Sequence, residues 1–355
     1  MRPGVSRVGA FLFTSQFDGL TEATVLDAAL RYADLAERHG FDDLWVSEHH
    51  FTTYGINPSA LTLAAHLLGR TSLRVGTAVT LLPQQSPVFV AEQAALLDHL
   101  SDGRFDLGIG RGGPVADLLV AGRTLEHWSQ GYWEAVDLLR SAWAGSVETD
   151  TDLYRFPRVT ARPRPRRPVG APLFTASTST TSIDQAARRG VPLLLFMHET
   201  DETRRQAVDR WAEVAAAHGH PTDDPGHAFA LLGQVIDDTV PLDDVVENLV
   251  GFFVRSSSEY PWLIEPPTVE DGRPNPNDPS SFRPYVEGLV ATHPVGSPEE
   301  CSRRLTDAVE RSSIGRVLLM LEAAAQPDLV ARNIARFGSE VLPAVRAVSP
   351  AVDAS

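Results

Sequence analysis

The feature that most restricts the fold of this chain is a repeated change of hydrophobic period along its length. Short runs of aliphatic and β-branched residues alternate with longer stretches whose apolar residues recur at helical spacing. The strand-like runs are Val8–Phe13, Leu44–Val46, Leu73–Val79, Phe105–Ile109, Leu173–Ala176, Val191–Phe196, Phe229–Ile236 and Val317–Glu322. Between and after them the pattern predicts helices over 21–39, 58–68, 86–100, 125–143, 181–189, 201–218, from 297 onward, and over 328–337. The ends carry their own signals. Gly40 suits the position after a helix, Ser86-Pro87 suits a helix start, and Ser297-Pro298-Glu299-Glu300 has the form of a capping box. A strand that returns through a helix lies parallel to its predecessor, and eight such units predict an α/β chain closed into a (β/α)8 TIM barrel. An open doubly wound sheet is the competing architecture, but no GxGxxG follows the first strand.

Two tracts break the rhythm. Arg155–Pro168 holds six arginines and four prolines, which excludes an ordinary helix or central strand. It reads as an exposed extended connection, with a docking patch for a partner as the alternative. The second tract, 256–292, contains EPPTVEDGRPNPNDPSSFRPY and is too long for a simple turn. Loops of that length are commonly lids, so residues 1–355 are read as one barrel domain with a mobile lid before the last strand.

Charge and composition narrow the partners. With 31 basic and 46 acidic residues the chain carries a net −15, which repels nucleic-acid phosphates and anionic membrane surfaces. The apolar run at Val8–Phe13 is too short for a signal peptide, and no run approaches 18 apolar residues. Cys301 is the sole cysteine, so no intramolecular disulfide forms. A cytoplasmic location is the expectation.

In a barrel of this kind the active site lies at the C-terminal ends of the strands, where three clusters fall. Glu48-His49-His50-Phe51 follows the second strand. Neighbours in extended chain point to opposite faces, so the pair makes a poor metal site and none is expected. One imidazole facing the cavity as an acid, base or donor is the functional reading; two satisfied polar residues at a strand end is the plain one. Gly108-Ile109-Gly110-Arg111-Gly112-Gly113 follows the fourth strand. Its glycines admit close backbone approach, and its guanidinium can grip a phosphate, but alone it is equally a tight turn. Ser177-Thr178-Ser179-Thr180-Thr181-Ser182 precedes a helix, where hydroxyls, free N–H groups and the helix dipole favour an anion. Ordinary capping needs one of the six. Together the last two clusters suggest a phosphate-bearing cofactor.

These segments resemble the bacterial luciferase-like flavin-dependent monooxygenase family, and its alpha-subunit branch in particular. The likeness is carried in order by LWVSEHHFTTYG (44–55), LRVGTAVTLLP (73–83), LLDHLSDGRFDLGIGRG (96–112), STSTTSIDQAARRGVPLLL (177–195) and HPVGSPEEC (293–301). The resemblance implies a two-component monooxygenase. Reduced FMN (FMNH2), supplied by a separate NAD(P)H:flavin reductase, would react with O2 to a flavin C4a-hydroperoxide and oxidise a small organic substrate. It further implies His49 as the catalytic imidazole, and Arg111, Ser179, Ser182 and Thr178 as holders of the FMN phosphate. A cis peptide at Ala78-Val79 would lie beside the flavin ring, near Gly110. Phe51, Leu81, Met197 and Phe253 would line the substrate pocket, 256–292 would close over the site, and the chain would form a homodimer.

There are departures. Gly110 stands where the light-emitting alpha subunit has a reactive cysteine, Met197 and Phe253 where it has tryptophans, and Thr178 where it has an acidic residue. Oxidation of a different organic molecule, without bioluminescence, is therefore expected. Two other functions compete: an F420-dependent dehydrogenase on the same barrel, and a non-catalytic flavin-binding subunit. The EHHF segment speaks against the first, and retention of His49 and Arg111 against the second.

Overall fold

The computed structural model describes residues 4–113, 115–167, 170–259, 274–275 and 278–348. Eight parallel strands close into a barrel: β1 (Arg7–Leu12), β2 (Asp43–Val46), β3 (Arg74–Thr77), β4 (Phe105–Gly110), β5 (Leu173–Ala176), β6 (Leu193–Leu195), β7 (Ala228–Leu232) and β8 (Arg316–Met320). Each pairs with the next. The ring is sealed by β8 on β1, with Arg7 opposite Arg316 and Phe11 opposite Met320. Closure leaves no sheet edge and fixes an inside, which the sequence must fill.

Small residues face large ones across that interior. A Cβ on Gly76 would come within 2.5 Å of the Trp45 ring, and one on Gly9 within 2.0 Å of the Asp43 carboxylate. Glycine at these two positions makes room for a fully buried indole. Below it, at the N-terminal end, Arg316 reaches Asp43 at 2.8 Å and Asp106 at 2.6 Å, and its guanidinium lies 4.7 Å from the Trp45 ring centre. Arg74 pairs with Asp106 from the side. The floor of the barrel is thus a closed ion network that needs no ligand, which leaves the C-terminal mouth for chemistry.

The helices are α1 (Glu22–Arg38), α2 (Ala60–Arg70), α3 (Pro87–Leu100), α4 (Val115–Val120), α5 (Leu125–Ser129), α6 (Gly131–Ala144), α7 (Thr180–Arg188), α8 (Asp201–Ala217), α9 (Leu242–Glu259), α10 (Phe282–Thr292), α11 (Pro298–Ser312), α12 (Pro327–Arg336) and α13 (Leu342–Val348). Thr21, Ser59, Ser179, Thr200 and Ser297 cap their helices with side-chain oxygens, and Ser297 with Glu300 forms the expected capping box. Among the described residues, no helix is long and apolar enough to cross a membrane.

Four expectations need correction. The helix predicted over 125–143 is broken at Gln130 into α5 and α6; His127 completes a capping box with Thr124, and Gly131 packs against Leu153 and Tyr154. The third strand stops at Thr77, the Ala78–Val79 peptide is cis, and pairing with β4 resumes at Thr80–Leu81. The arginine–proline tract is partly a strand: Arg155–Thr160 pairs antiparallel with Ser146–Asp150 outside the barrel. Arg166 and Arg167 then fold back on Asp102 and Asp98, which favours the connection over the docking patch. The tract read as a loop over 256–292 begins in the last turn of α9 and ends in α10; 260–273 and 276–277 lie outside the described residues.

Candidate active site

Two buried carboxylates organise the mouth. Glu322, just past β8, accepts hydrogen bonds from the N–H groups of Phe13 (2.7 Å), Thr14 (3.1 Å) and Ser15 (2.8 Å) at the end of β1. Burial raises its pKa against the lowering effect of those donors. Glu48, just past β2, accepts from Ala60 N–H at 2.8 Å and Leu81 N–H at 3.1 Å, so it ties the first turn of α2 to the segment after β3. Each carboxylate staples loops from neighbouring strands, and a backbone N–H buried at a rim requires such an acceptor.

Between these staples the paired histidines diverge. His49 turns into a ring of aromatics, 5.0 Å from the Phe13 centroid and 5.1 Å from that of Tyr54. Its Nδ1 is buried with no hydrogen-bond partner. Burial, with some help from the neighbouring His50, lowers its pKa to about 3, so it is a neutral imidazole at physiological pH. Gly55 is what lets it sit there, since a Cβ at that position would fall 2.5 Å from Nδ1. His50 turns the other way, with Nε2 3.9 Å from Glu48 and its side chain 24% exposed. The nearby Glu48 carboxylate raises its pKa against the lowering effect of burial. Both line a groove of about 450 Å³. Phe51, held at φ +58° and 65% exposed, and Glu259 lie along the same groove.

The phosphate candidates meet across β4 and β5. Arg111 lies between two aromatic rings, 5.4 Å from Trp128 and 5.0 Å from Tyr132. Trp128 is pinned by donating its indole N–H to Gly112 O at 2.7 Å, and Tyr132 by a 2.6 Å hydrogen bond to Thr175. Thr175 lies 3.4 Å from Ser177, where the hydroxyl run begins. Ser179 caps α7 and shares a 3.0 Å hydrogen bond with Ser182. Thr178 is exposed. Alongside, a Cβ on Gly110 would be 2.4 Å from Val79 and 3.6 Å from Ala176, so the cis peptide, Gly110 and the end of β5 form one closely packed surface.

A family model described as luciferase-like monooxygenase matches residues 6–314. The chain belongs to that family. It is 26% identical over 348 residues to an alkanal monooxygenase alpha chain from the Kryptophanaron alfredi symbiont, covering 95% of this chain and 98% of the relative. Among solved structures, the monooxygenase RslO1 from Streptomyces bottropensis superposes with a TM-score of 0.77 at 22% identity, over 95% of this chain and 99% of that one. An F420-dependent secondary alcohol dehydrogenase, in complex with an F420–acetone adduct, superposes with a TM-score of 0.75 at 20% identity, over 96% and 99%. At those identities the superpositions speak for the fold alone.

Of the pocket candidates, Phe51 lines the groove with the histidines. Leu81 is buried against Gly112, and Met197 is buried with its carbonyl 3.4 Å from the Arg204 guanidinium. Phe253 is half-buried between Tyr54 and Tyr285, on α9. Several participants were not legible beforehand. In the sequence Glu48 stands out only as a neighbour of the histidines, and Glu322 only as the end of a strand. Asp117 on α4 had no motif to mark it: it is 4% exposed, its Oδ1 has no partner, and burial raises its pKa to about 6. Nor did any pattern foretell that Arg255 and Glu259 of α9 both bond to Thr53, beside the histidines. Among the described residues no group of three or more His, Cys, Asp and Glu is arranged to hold a metal ion.

Proposed function

We propose that the chain is a monooxygenase dependent on FMNH2 and O2, which receives reduced flavin from a separate NAD(P)H:flavin reductase and oxidises a small organic molecule. The observation that carries this reading is the chain of contacts from Arg111 through Tyr132 and Thr175 to the hydroxyl-rich start of α7. A cation stacked on aromatic rings and a helix N-terminus with exposed hydroxyls suit one phosphate between them. The flavin ring would lie against the wall formed by the Ala78–Val79 peptide, Gly110 and Ala176, which pack closely on one another. Bound reduced flavin supplies the electrons that activate oxygen.

The protein's own part is to hold and shield. Arg111, Ser179 and Ser182, with Thr178, bind the phosphate; Ala78, Val79 and Gly110 support the ring. His49, neutral and seated against Phe13 and Tyr54, offers a ring nitrogen that can accept or donate a hydrogen bond without bringing a charge into the site. Phe51 along the groove and Phe253 beside Tyr54 offer apolar surface to the substrate, with Leu81 and Met197 buried in the surrounding wall. The protein acts in the cytoplasm as a homodimer. Exposed Phe89, Leu96 and Leu100, which form one stripe on α3, support the pairing.

The test is anaerobic titration with reduced FMN, followed by rapid mixing with oxygenated buffer. Tight binding that weakens about tenfold or more in Arg111→Ala, with reoxidation slower than that of free flavin, is the expected result. Failure to bind FMNH2 together with tight F420 binding would overturn the oxygenase in favour of hydride transfer.

A further inference from the structure

We propose that the groove beside the paired histidines selects a substrate with an apolar body and a positively charged amine head, and rejects carboxylates of the same size. That the selected molecule is then oxidised rests on the oxygenase reading above. The groove is about 450 Å³, room for a small organic molecule, and both His49 and His50 line it. At its wall, Nδ1 of His49 is buried with no hydrogen-bond partner among the described residues.

The rest of the lining is of two kinds. Leu26, Phe51, Ile56 and Pro58 form an apolar side, on which Phe51 is 65% and Leu26 43% exposed. Covering that surface favours a ligand with an apolar body. Glu22 and Glu259 line the same space and bring two carboxylates to it.

Glu259 is held ready for a cation. Its Oε2 accepts from the Thr53 N–H and from the Thr52 and Thr53 hydroxyls, both at 2.9 Å. All three bonds fall on that one oxygen, so the carboxylate is fixed while Oε1 is left to accept from an ammonium. A group already ordered before binding loses little freedom when the ligand arrives. Two cations stand near, and each is offset. His50, when protonated, faces the Glu48 carboxylate at 3.9 Å. Arg255 pairs with Asp18 and donates to the Gln16 carbonyl and, at 3.2 Å, to the Thr53 hydroxyl. The groove therefore keeps a negative balance, and the net −15 of the chain adds to it at long range. A carboxylate ligand would bring like charge against Glu259 in a part-buried place, which is how a site discriminates by repulsion.

The experiment uses the full chain without flavin, with 13C in its histidine rings, at about pH 8, where an alkylammonium is fully charged. Hexylamine, 1-hexanol and hexanoate, which share one body and differ in the head, are titrated in turn. The His49 and His50 resonances, assigned by their loss in His49→Gln and His50→Gln, report binding in this groove. Hexylamine should bind about tenfold or more tighter than hexanoate, with 1-hexanol between them. Glu259→Gln should cut the advantage over 1-hexanol by about fivefold and leave 1-hexanol itself unchanged. Glu22→Gln, which leaves the threonine clamp intact, should cut it by about twofold. Phe51→Ala should weaken hexylamine and 1-hexanol by the same factor. The proposal is overturned if hexanoate or 1-hexanol matches hexylamine, or if hexylamine leaves both resonances unmoved. It is equally overturned if the advantage survives both glutamate variants with native circular dichroism. The two readings fail separately. Selective amine binding by a chain that oxidises nothing with FMNH2 and O2 would overturn the oxygenase and leave the selectivity standing. Oxidation of substrates by a chain without amine preference would do the reverse.

Discussion

The packing between Gly110 and Val79 makes the sharpest quantitative prediction. A Cβ at Gly110 would stand 2.4 Å from Cγ2 of Val79, against an ordinary carbon–carbon contact of about 3.5–4.0 Å. Val79 cannot yield freely, because its β-branched side chain has few rotamers and Ala176 lies on the other side of the intruding methyl. Overpacking of this size costs about 1–3 kcal/mol, from which roughly 0.4–1 kcal/mol is recovered because alanine restricts the unfolded chain. Gly110→Ala is thus expected to destabilise by about 1–2 kcal/mol. Val79→Ala removes the obstructing methyl and, at about 0.8 kcal/mol per buried carbon, costs a similar amount by itself. Made together, the two should cost less than their sum by about 1–2 kcal/mol. Urea unfolding of the four proteins of the cycle measures this, with unchanged slopes required for the comparison. Additivity within about 0.5 kcal/mol would refute the contact. The same coupling accounts for a glycine where the alpha-subunit pattern has cysteine: with Val79 in place, no side chain fits at 110.

Two further outcomes follow from buried groups. Gly55→Ala would bring a methyl within 2.5 Å of His49 Nδ1 and 2.8 Å of the Phe13 carbonyl, so the ring must move; substrate oxidation should fall by about tenfold or more while reduced-FMN affinity changes little, and an unaltered rate in single-turnover kinetics would refute the seating of His49. His227, buried under Trp211 with Nδ1 accepting from Leu193 N–H, has its pKa lowered by burial to about 3. The unfolded chain protonates it near pH 6.5 and the folded chain does not, so its contribution is present above that pH and lost on acidification. Relative to wild type, His227→Gln should therefore flatten the loss of stability between pH 6 and 4 by about 1.4 kcal/mol per pH unit, as read from unfolding midpoints.

The architecture was legible because each strand–helix unit carries its own period, and closure follows from parallel pairing and number. What escaped was fixed by contacts distant in sequence. The break at Gln130 answers to Leu153 and Tyr154 across a hairpin, which a helical pattern over 125–143 does not register. Helix α9 escaped because its sequence runs into a proline-rich tract, although Val245, Leu249 and Phe252 mark a buried face. At the site, Arg111 and the hydroxyl run were visible as chemistry that needs those residue types. Tyr132, which joins them, looked like any core aromatic. The two histidines diverge, as alternation in extended chain requires, although both line the groove. Which of them lies buried depends on Phe13 and Tyr54, and on the space that Gly55 leaves.

That parting has a physical consequence for how the mouth can work. Barrel-end loops are intrinsically the softest part of the fold, yet oxygen chemistry needs groups held in register. Here the stiffness comes from buried acceptors rather than from regular structure. Glu322 gathers three consecutive N–H groups after β1, and Glu48 joins α2 to the segment after β3. Glu259 at the end of α9 then clamps the threonines that follow Phe51. The last of these clamps is only part-buried, and it sits where α9 runs into the segment between the two helices. Removing the Glu259 carboxylate would free Thr52 and Thr53, while Phe13 on the opposite side still packs against the His49 ring.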